Sequence, residues 1–276
     1  QRMKDKIVMV TGASSGIGKA TAQKLAAMGA TVILVARDPA QGQAALDEIT
    51  KAGHSAELRL VDLSSQAAIR QFAADFVRDH KQLDVLINNA GVMRNDFTRT
   101  VDGYEMTFAV NQLAPFLLTH LLLDTLKASA PARVINLMGN SSPINFDDLM
   151  GERKYDMMTA YPQSKTANRL FTVELAKRLG GTNVTVNGAD PGFVRTNLGR
   201  DARGSFKAFL DSGAGMRTPD QGAEASVYAA SAPELDGVTG KVFDGKHQRP
   251  ASQGAKDEAD AKRLWDICAK LTEISA

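Results

Sequence analysis

The amino-acid sequence predicts a single α/β domain built as a doubly wound parallel sheet with helices on both faces. Short runs rich in β-branched residues alternate along the chain with longer segments of helical periodicity. The short runs are apolar almost throughout, which is typical of strands that are covered on both sides. We find no internal repeat and no low-complexity segment, so we expect one domain over residues 1–276.

The elements can be assigned in order from their periodicity. Strands are predicted at residues 6–10, 31–35, 56–61, 84–87, 132–137 and 184–186. Apolar residues that recur at intervals of three and four predict helices at residues 18–28, 41–51, 65–79, 101–127, 159–179, 220–230 and 257–271. Residues 196–219 are rich in Gly, Arg and Ser and break the alternation, which indicates a lid inserted after the last predicted strand.

The composition argues against a nucleic-acid or membrane-spanning protein. The chain has 43% hydrophobic and 23% charged residues and a net charge of +2. The first apolar run, residues 7–10, is too short to cross a bilayer, and no signal-peptide pattern precedes it. The apolar stretch at residues 114–123 is interrupted by Pro115 and His120 and is expected to be a buried helix. We therefore expect no nucleic-acid partner, no membrane span and a cytoplasmic location.

Cysteine and histidine give no sign of a metal site. Cys268 is the only cysteine, which excludes an intrachain disulfide and a cysteine-based zinc cluster. The histidines are scattered without the spacing of ligands, at His54, His80, His120 and His247. We expect that the chain binds no metal.

A glycine-rich segment joins the first predicted strand to its helix. Residues 11–18 read TGASSGIG, a GxxxGxG spacing that lets the backbone turn tightly and approach a pyrophosphate at the helix N-terminus. A tight connection without a ligand is the alternative. The position at the first βα junction favours the phosphate and a Rossmann-type dinucleotide fold. The predicted contacts are Gly12, Ser14, Ser15, Gly16, Ile17 and Gly18.

The end of the second strand bears on the choice of dinucleotide. A NAD enzyme usually places an acid there against the ribose 2′-hydroxyl, and an NADP enzyme an arginine against the 2′-phosphate. This chain reads Ala36, Arg37, Asp38, so the strand tip carries no acid and Arg37 can meet a phosphate. Asp38 is the competing residue, because its side chain could turn inward to the ribose. We expect NADP(H) as the cofactor.

Tyr161 and Lys165 stand four residues apart in one predicted helix, so they project from the same face. Further motifs accompany them: residues 88–91 (NNAG) after the fourth strand, Asn111 in the next helix, and Pro191, Gly192 and Thr196 after the sixth strand. With these motifs the sequence resembles the short-chain dehydrogenase/reductase family over nearly its whole length.

The resemblance implies a role for each matching residue. Tyr161 would be the proton donor and acceptor, Lys165 would bind the nicotinamide ribose and lower the tyrosine pKa, and Asn111 would hold a water in a proton relay. A phenol with a pKa of about 10 is a poor base at neutral pH, and a nearby ammonium favours the phenolate. The remaining implied cofactor contacts are Asp62 at the adenine, Leu63 beside it in the chain, Asn89, Ala90 and Gly91 along the cofactor, and Pro191, Gly192, Val194 and Thr196 at the nicotinamide.

Within the family, several stretches are similar to the retinol-dehydrogenase-like subgroup. They are residues 161–179 (YPQSKTANRLFTVELAKRL), 195–200 (RTNLGR), 217–223 (RTPDQGA) and 257–271 (DEADAKRLWDICAKL). The last of these and the Gly139-Asn140 pair are also similar to light-dependent protochlorophyllide reductases, which reduce a carbon–carbon double bond. The resemblance implies an apolar small-molecule substrate and allows a homo-oligomer, a dimer or a tetramer.

The chain departs from the family pattern at the end of the fifth strand. Residues 134–142 read VINLMGNSS, and the position of the family's substrate-binding serine falls on Gly139. Ser141, or Ser142 as the less favoured choice, could fold back to serve, in which case the site is an ordinary carbonyl reductase. Otherwise the donor is absent, and a double-bond reduction or a non-redox reaction becomes the alternative. In that second case a serine introduced at position 139 would restore activity on ketones, provided that the pocket has room for it.

The sequence therefore predicts an NADP(H)-dependent oxidoreductase that transfers hydride between the nicotinamide and an apolar carbonyl or alcohol. A nucleotide-sensing protein without turnover is the alternative from another class. Retention of Tyr161, Lys165 and Asn111 argues against it, since a sensor needs only the glycine turn and the ribose contacts.

Overall fold

A computed structural model describes residues 2–275 and contains one eight-stranded sheet in the order β3-β2-β1-β4-β5-β6-β7-β8. Every neighbouring pair is parallel except β7 and β8. The strands are β1 Ile7–Thr11, β2 Thr31–Ala36, β3 Ala56–Leu60, β4 Val85–Asn88, β5 Ala132–Leu137, β6 Val184–Asp190, β7 Lys241–Asp244 and β8 His247–Pro250. This arrangement confirms the predicted α/β fold class.

The strand order reverses beside β1, because β2 and β3 lie on one side of it and β4 to β8 on the other. Connections from the two halves leave the sheet in opposite directions at this point, so a crevice opens at the carboxyl ends of β1 and β4. The glycine turn follows β1, and the NNAG motif overlaps the end of β4. The topology alone therefore brings the two predicted cofactor motifs to one edge of the sheet.

Helices cover both faces of the sheet. They are α1 Gly16–Ala27, α2 Pro39–Lys51, α3 Gln66–Asp79, α4 Met106–Phe108, α5 Ala114–Ala128, α6 Met157–Arg178, α7 Gly204–Ser212, α8 Pro219–Gly222, α9 Glu224–Ser231 and α10 Ala255–Thr272. One apolar core joins α3, α5, α6 and α10 to the sheet, and a second joins α1, α2 and α9 to its other face. Burial on both faces explains why the central strands are apolar throughout.

The strand predictions fall short at the carboxyl-terminal edge of the sheet. The strand predicted at residues 184–186 continues to Asp190, and β7 and β8 are not predicted at all. Asn187, in the extension of β6, is buried because its side chain bonds to the Val238 carbonyl and the Lys241 amide at 2.8 and 3.0 Å. β8 has every residue exposed and ends in a proline, as an edge strand can, so it carries no apolar pattern to detect.

The helix predictions need three corrections. The helix predicted from residue 101 begins at Met106, because Glu105 caps it by accepting from the Phe108 amide at 3.1 Å. The segment predicted at residues 220–230 is two helices, α8 and α9, that meet at Ala223. The predicted lid, residues 196–219, contains the unpredicted helix α7, in which no residue is fully buried.

α4 and α5 are joined by a π-helical turn, Ala109–Leu113. The continuous segment Met106–Ala128 has the length and mean hydropathy (1.4) of a membrane-crossing helix, but 72% of its most apolar window is buried inside the fold. The predicted burial of residues 114–123 agrees with this packing. π-Helical turns widen the helix locally and are common at functional sites, and this one holds Asn111.

Candidate active site

The glycine turn after β1 is shaped by close backbone approach. Gly16 adopts a φ of +55°, a left-handed conformation that side chains rarely tolerate. A Cβ at Gly18 would lie 2.1 Å from the Gly12 carbonyl oxygen, so only glycine fits there. Ser15 begins α1 without a side-chain cap, and the first turn of α1 holds no acid. The backbone N–H groups at this helix end are therefore open to an anion.

The NNAG loop after β4 packs directly against the glycine turn. A Cβ at Gly12 would meet the Ala90 Cα at 2.9 Å, and the Asn89 side-chain amide donates to the Thr11 carbonyl at 3.0 Å. Thr196 covers the other side of the turn, since a Cβ at Gly16 would lie 3.4 Å from its Cγ2 atom. Three predicted cofactor segments thus converge around one crevice.

Arg37 and Asp38 have distinct roles at the end of β2. Asp38 is the N-cap of α2, and its carboxylate accepts from the Gln41 amide at 2.9 Å. This capping bond occupies the acid that could have turned toward a ribose. Arg37 is exposed. Its guanidinium has no hydrogen-bond or ion-pair partner among residues 2–275. The arginine is therefore the group left to meet a phosphate.

Asp62 and Leu63 follow β3, the strand next to β2. The Val61 amide donates to the Ala36 carbonyl at 3.0 Å, which aligns the two strand ends. Asp62 is exposed and accepts from the amide and hydroxyl of Ser64 at 3.0 and 2.7 Å. Leu63 is half-buried and lines a small cavity together with Ala90.

The segment after β6 closes the crevice on its far side. Pro191 is buried, and its carbonyl accepts from the Arg217 guanidinium at 3.1 Å. Gly192 adopts a φ of +70°, and a Cβ there would lie 2.6 Å from the Arg217 Cζ atom. A Cβ at Gly222 would approach Val194 to 2.6 Å and Ile17 to 3.2 Å, so these two side chains pack at the same point.

Tyr161 and Lys165 lie together in the first half of α6, as their spacing predicts. The Lys165 Nζ atom is 5.7 Å from the centroid of the Tyr161 ring. Its contacts are long, 3.4 Å to the Leu137 carbonyl oxygen and 3.4 Å to the Asn168 Oδ1 atom. A Cβ at Gly91 would lie 3.9 Å from Nζ, which places the lysine beside the NNAG loop.

Burial changes the acidity of both groups. Lys165 is 4% exposed, and loss of hydration lowers the pKa of its ammonium to about 8. The same cause raises the pKa of the Tyr161 phenol above its ordinary value. At neutral pH the lysine therefore carries its charge and the phenol holds its proton.

Asn111 ties the NNAG loop to α6. Its Oδ1 atom accepts from the Val92 amide at 2.8 Å, and its Nδ2 atom donates to the Val92 carbonyl at 2.9 Å and to the Ser164 hydroxyl at 3.0 Å. Its backbone carbonyl accepts from the Asn168 amide at 2.6 Å. Asn111 thus lies one side chain away from Lys165, and the relay water expected at this residue stays a prediction.

The aliphatic part of the Lys165 side chain passes close to Gly139. A Cβ at position 139 would meet the Lys165 Cγ, Cδ and Cε atoms at 3.0, 3.3 and 3.5 Å. A serine there would fit only if the lysine stem shifted by a few tenths of an ångström, so the room for a donor at position 139 depends on where Lys165 lies. The absence of the family's serine is therefore coupled to the path that Lys165 takes.

The two later serines differ in accessibility. Ser141 is exposed. Ser142 is held against α6 by its backbone, which exchanges hydrogen bonds with the Thr166 hydroxyl at 3.1 and 2.5 Å. The Ser142 hydroxyl is buried and has no partner among the described residues. A substrate oxygen can approach Ser141 but not Ser142 in this conformation.

Sequence reasoning missed a residue that contacts Lys165. Asn168 is 5% exposed and lies one helical turn after the lysine. Asparagine is a poor helix former, so its place in the middle of a long helix was the signal that could have drawn attention to it.

A surface cleft of about 340 Å³ between residues 146–153 and α10 contains none of the predicted site residues.

These residues fit a dinucleotide. The glycine turn leaves no space for side chains, the N-terminus of α1 is uncapped, and a cation faces outward at the end of β2. A lysine and a tyrosine stand where the crevice continues past the NNAG loop. The arrangement can hold a nucleotide along the carboxyl edge of the sheet and move a proton at its far end.

Comparison with known proteins agrees with this geometry. Residues 6–205 match the short chain dehydrogenase family, and the chain belongs to it. It is an oxidoreductase of a family whose members use NAD or NADP.

The relatives place it in the retinol-dehydrogenase-like subgroup. Human retinol dehydrogenase 13 is 46% identical over 98% of this chain and 86% of its own length. The crystal structure of an uncharacterized protein from Mycobacterium paratuberculosis has a TM-score of 0.77 at 34% identity, covering 99% of this chain and 95% of its own. A metagenomic short-chain oxidoreductase in complex with NADP has a TM-score of 0.64 at 29% identity, covering 85% of this chain and 94% of its own.

Proposed function

We propose that this protein transfers hydride between NADP(H) and an apolar carbonyl or alcohol, with Tyr161 as the proton donor and acceptor. The observation that carries the proposal is the buried pair on α6, in which the Lys165 ammonium lies 5.7 Å from the Tyr161 ring and beside the NNAG loop. When bound, the nicotinamide supplies or accepts the hydride. The residues of this chain hold it, orient the substrate and move the proton.

Tyr161 serves the reduction as an acid. Its raised pKa keeps the phenol protonated at neutral pH, so the hydroxyl can give its proton to the oxygen that becomes an alcohol. The positive charge of Lys165 stabilises the phenolate that remains. In the oxidation the phenolate takes the proton back, and the same charge lowers the cost of forming it.

Arg37 supports the choice of NADP(H). It is exposed and unpaired within the described chain, whereas Asp38 is committed to the cap of α2. A guanidinium can form a charge-assisted fork to the 2′-phosphate, and no acid faces the 2′-hydroxyl of NAD. The NADP complex of the metagenomic relative is consistent with this choice.

The lid supports an apolar substrate. Phe193 and Phe209 stack with centroids 5.4 Å apart and are 37% and 46% exposed, although large aromatic side chains are usually more buried. Phe193 lies in the segment after β6, which we place at the nicotinamide, and Phe209 lies on α7 of the lid. The name of the human relative refers to retinol, an apolar alcohol, and we propose lipophilic aldehydes and alcohols as the substrate class.

We propose Ser141 as the hydrogen-bond donor to the substrate oxygen. Gly139 cannot supply it, and the Ser142 hydroxyl is covered. Replacing one such donor typically slows the step about 100-fold or more. The lack of a donor at Gly139 also favours a second candidate, reduction of an activated carbon–carbon double bond, in which the negative charge passes to the activating group as an enolate and no alkoxide forms on the carbon that receives the hydride.

The test is Tyr161→Phe, assayed by NADPH oxidation with a panel of long-chain and polyene aldehydes. We expect turnover to be lost while the Kd for NADPH stays within a few-fold, because the phenol acts on the reacting oxygen. Tyr228→Phe, on the distant helix α9, is the matched control and should keep full activity. Substantial activity in Tyr161→Phe would overturn the proposal.

A further inference from the structure

Lys165 has a side-chain partner that comes from its own helix. The Asn168 Oδ1 atom faces the Lys165 ammonium at 3.4 Å. The other end of the same amide, Nδ2, donates to the Asn111 carbonyl at 2.6 Å and to the Gln112 Oε1 atom at 2.9 Å. Asn168 therefore spans from the lysine on α6 to the π-helical turn.

The amide is fixed in one orientation by these contacts. Two acceptors, the Asn111 carbonyl and the Gln112 oxygen, require the NH₂ group to point toward the π-helical turn, which leaves the oxygen to face Lys165. Gln112 is held in turn by Cys268 on α10, at 3.7 Å from Nε2 to Sγ. All of these side chains are buried, so water does not compete for the bonds.

The geometry points to Asn168 as a positioning residue for Lys165, and this inference rests on the proposed function. Its oxygen and the Leu137 carbonyl receive two of the three ammonium protons and direct the third toward the crevice. The π-helical turn supplies the anchor, because it presents the Asn111 carbonyl to α6. Asn168 thereby keeps the ammonium charged and aimed, and it touches neither substrate nor cofactor.

Among the described residues, no charged side chain pairs with Lys165 to do this. Tyr161 faces it from α6, the Leu137 carbonyl from β5, and the neutral amides of Asn111 and Gln112 from the π-helical turn. From α10 only the Cys268 thiol reaches the network, with a pKa raised by burial to about 12. Within residues 2–275, no carboxylate forms an ion pair with Lys165, whose pKa burial lowers to about 8.

The experiment compares Asn168→Leu with Asn187→Leu. Asn187 is a buried amide of β6 with two backbone partners, so its loss is a matched structural defect away from Lys165. Three readouts are taken: urea unfolding, the Kd for NADPH by fluorescence, and the pH dependence of kcat/KM for alcohol oxidation. Asn168→Ser, a smaller polar change, replaces Asn168→Leu if that variant does not fold.

We expect both leucine variants to lose stability, but only the change at position 168 to alter the chemistry. Without the acceptor, the ammonium is less favoured and stabilises the phenolate less, so the acid limb of the oxidation profile should move up by about one pH unit. The Kd for NADPH should rise several-fold, since the lysine no longer aims at the ribose. Asn187→Leu should shift neither quantity.

The outcomes separate the inference from the function on which it rests. If Asn168 variants keep the wild-type pH profile and Kd while Tyr161→Phe is inactive, Asn168 is only a packing residue and the inference is overturned, with the function intact. If Tyr161→Phe is active, the proposed function falls and the inference falls with it. A shift confined to the Asn168 variants supports the positioning role.

Discussion

The positive charge of Lys165 lies in a buried environment that disfavours a charge. The side chain is 4% exposed, and its contacts to the Leu137 carbonyl and Asn168 are both 3.4 Å long. Hydrogen bonds of this length repay only part of the hydration that a buried ammonium loses. The lowered pKa, about 8 against an ordinary 10.5, has this loss of hydration as its cause. We infer that the fold accepts a cost in stability in order to keep a cation beside Tyr161.

Replacing Lys165 with methionine should therefore stabilise the protein while it abolishes activity. Below pH 8 the native lysine is protonated, and its burial costs on the order of 3 kcal/mol, from 1.36 kcal/mol per unit of lowered pKa. As the pH rises from about 8 to 10.5, the native protein binds fewer protons than the unfolded chain, so wild-type stability rises and the advantage of the variant shrinks. Urea unfolding at pH 7 and pH 9.5 measures both effects. A variant less stable than wild type at pH 7 would be at odds with this explanation.

A substitution of Arg37 tests which nucleotide the protein prefers. Arg37→Ala should weaken NADPH binding by about 1.5 to 3 kcal/mol, the contribution of a hydrogen bond to a charged group, and leave NADH nearly unchanged. Titration calorimetry with both nucleotides gives the two affinities. Asp38→Ala is the control, since Asp38 caps α2 and should alter stability more than nucleotide choice. Equal affinity of the wild-type protein for both nucleotides would contradict the NADP assignment.

Local spacing is what made some site residues predictable and others not. Tyr161 and Lys165 lie four apart on one helix, and the glycine turn is a contiguous motif, so both are visible in the sequence. The close approach of the Lys165 stem to position 139 depends on how β5 packs against α6, and no local sequence pattern encodes that packing. The link from Asn168 to Asn111 likewise depends on a π-helical turn in another segment.

At the scale of elements, α10 holds α6 in place. Trp265 of α10 packs against Phe116, His120 and Phe171 with centroid distances of 5.0, 4.9 and 6.0 Å, and the Arg178 guanidinium lies 4.3 Å from its ring. Its indole N–H is buried without a partner in the described part of the chain. Ring packing around Trp265 thus attaches the carboxyl-terminal helix to α5 and α6, and the ion pair between Arg169 of α6 and Asp257 of α10, at 2.5 Å, adds a polar bond.

Trp265→Ala should destabilise the protein by about 3 to 5 kcal/mol, because it empties a large site that four side chains line. Trp265→Phe should cost far less, since it keeps an aromatic ring and removes an N–H that has no bond to lose. Urea unfolding of the two variants gives the comparison. A phenylalanine variant as unstable as the alanine variant would show that the indole N–H has a partner after all.

Elements with strong periodicity were predictable, and those without it were not. The central strands and the long helices have apolar patterns set by burial on both sheet faces. β7 and β8 are short and carry charged or exposed residues, and α7 lies on the surface with no buried residue. Short or exposed elements leave little room for a repeating apolar pattern, so their sequences show little periodicity.

For the whole molecule, the reversal of strand order beside β1 is what assembles the site. The glycine turn, the NNAG loop, Arg37 and Asp62 all follow strands whose carboxyl ends share one edge, and α6 delivers Tyr161 and Lys165 to the same crevice. Segments from both halves of the chain therefore meet at this crevice. Fold class, cofactor edge and the position of the lid were predictable from the alternation of elements, whereas helix α7 within the lid and the stacking of Phe193 on Phe209 required the structure.

The most direct test is to follow the hydride itself into a conjugated polyene aldehyde. The protein is incubated with this aldehyde and NADPH deuterated at the transferring carbon, each stereoisomer in turn, and mass spectrometry with NMR locates the label in the product. We predict one deuterium on the carbon that was the carbonyl carbon, from one stereoisomer only, and none with Tyr161→Phe. Deuterium on a carbon of the former double bond, or no transfer from NADPH to any member of the aldehyde panel, would contradict carbonyl reduction by this site.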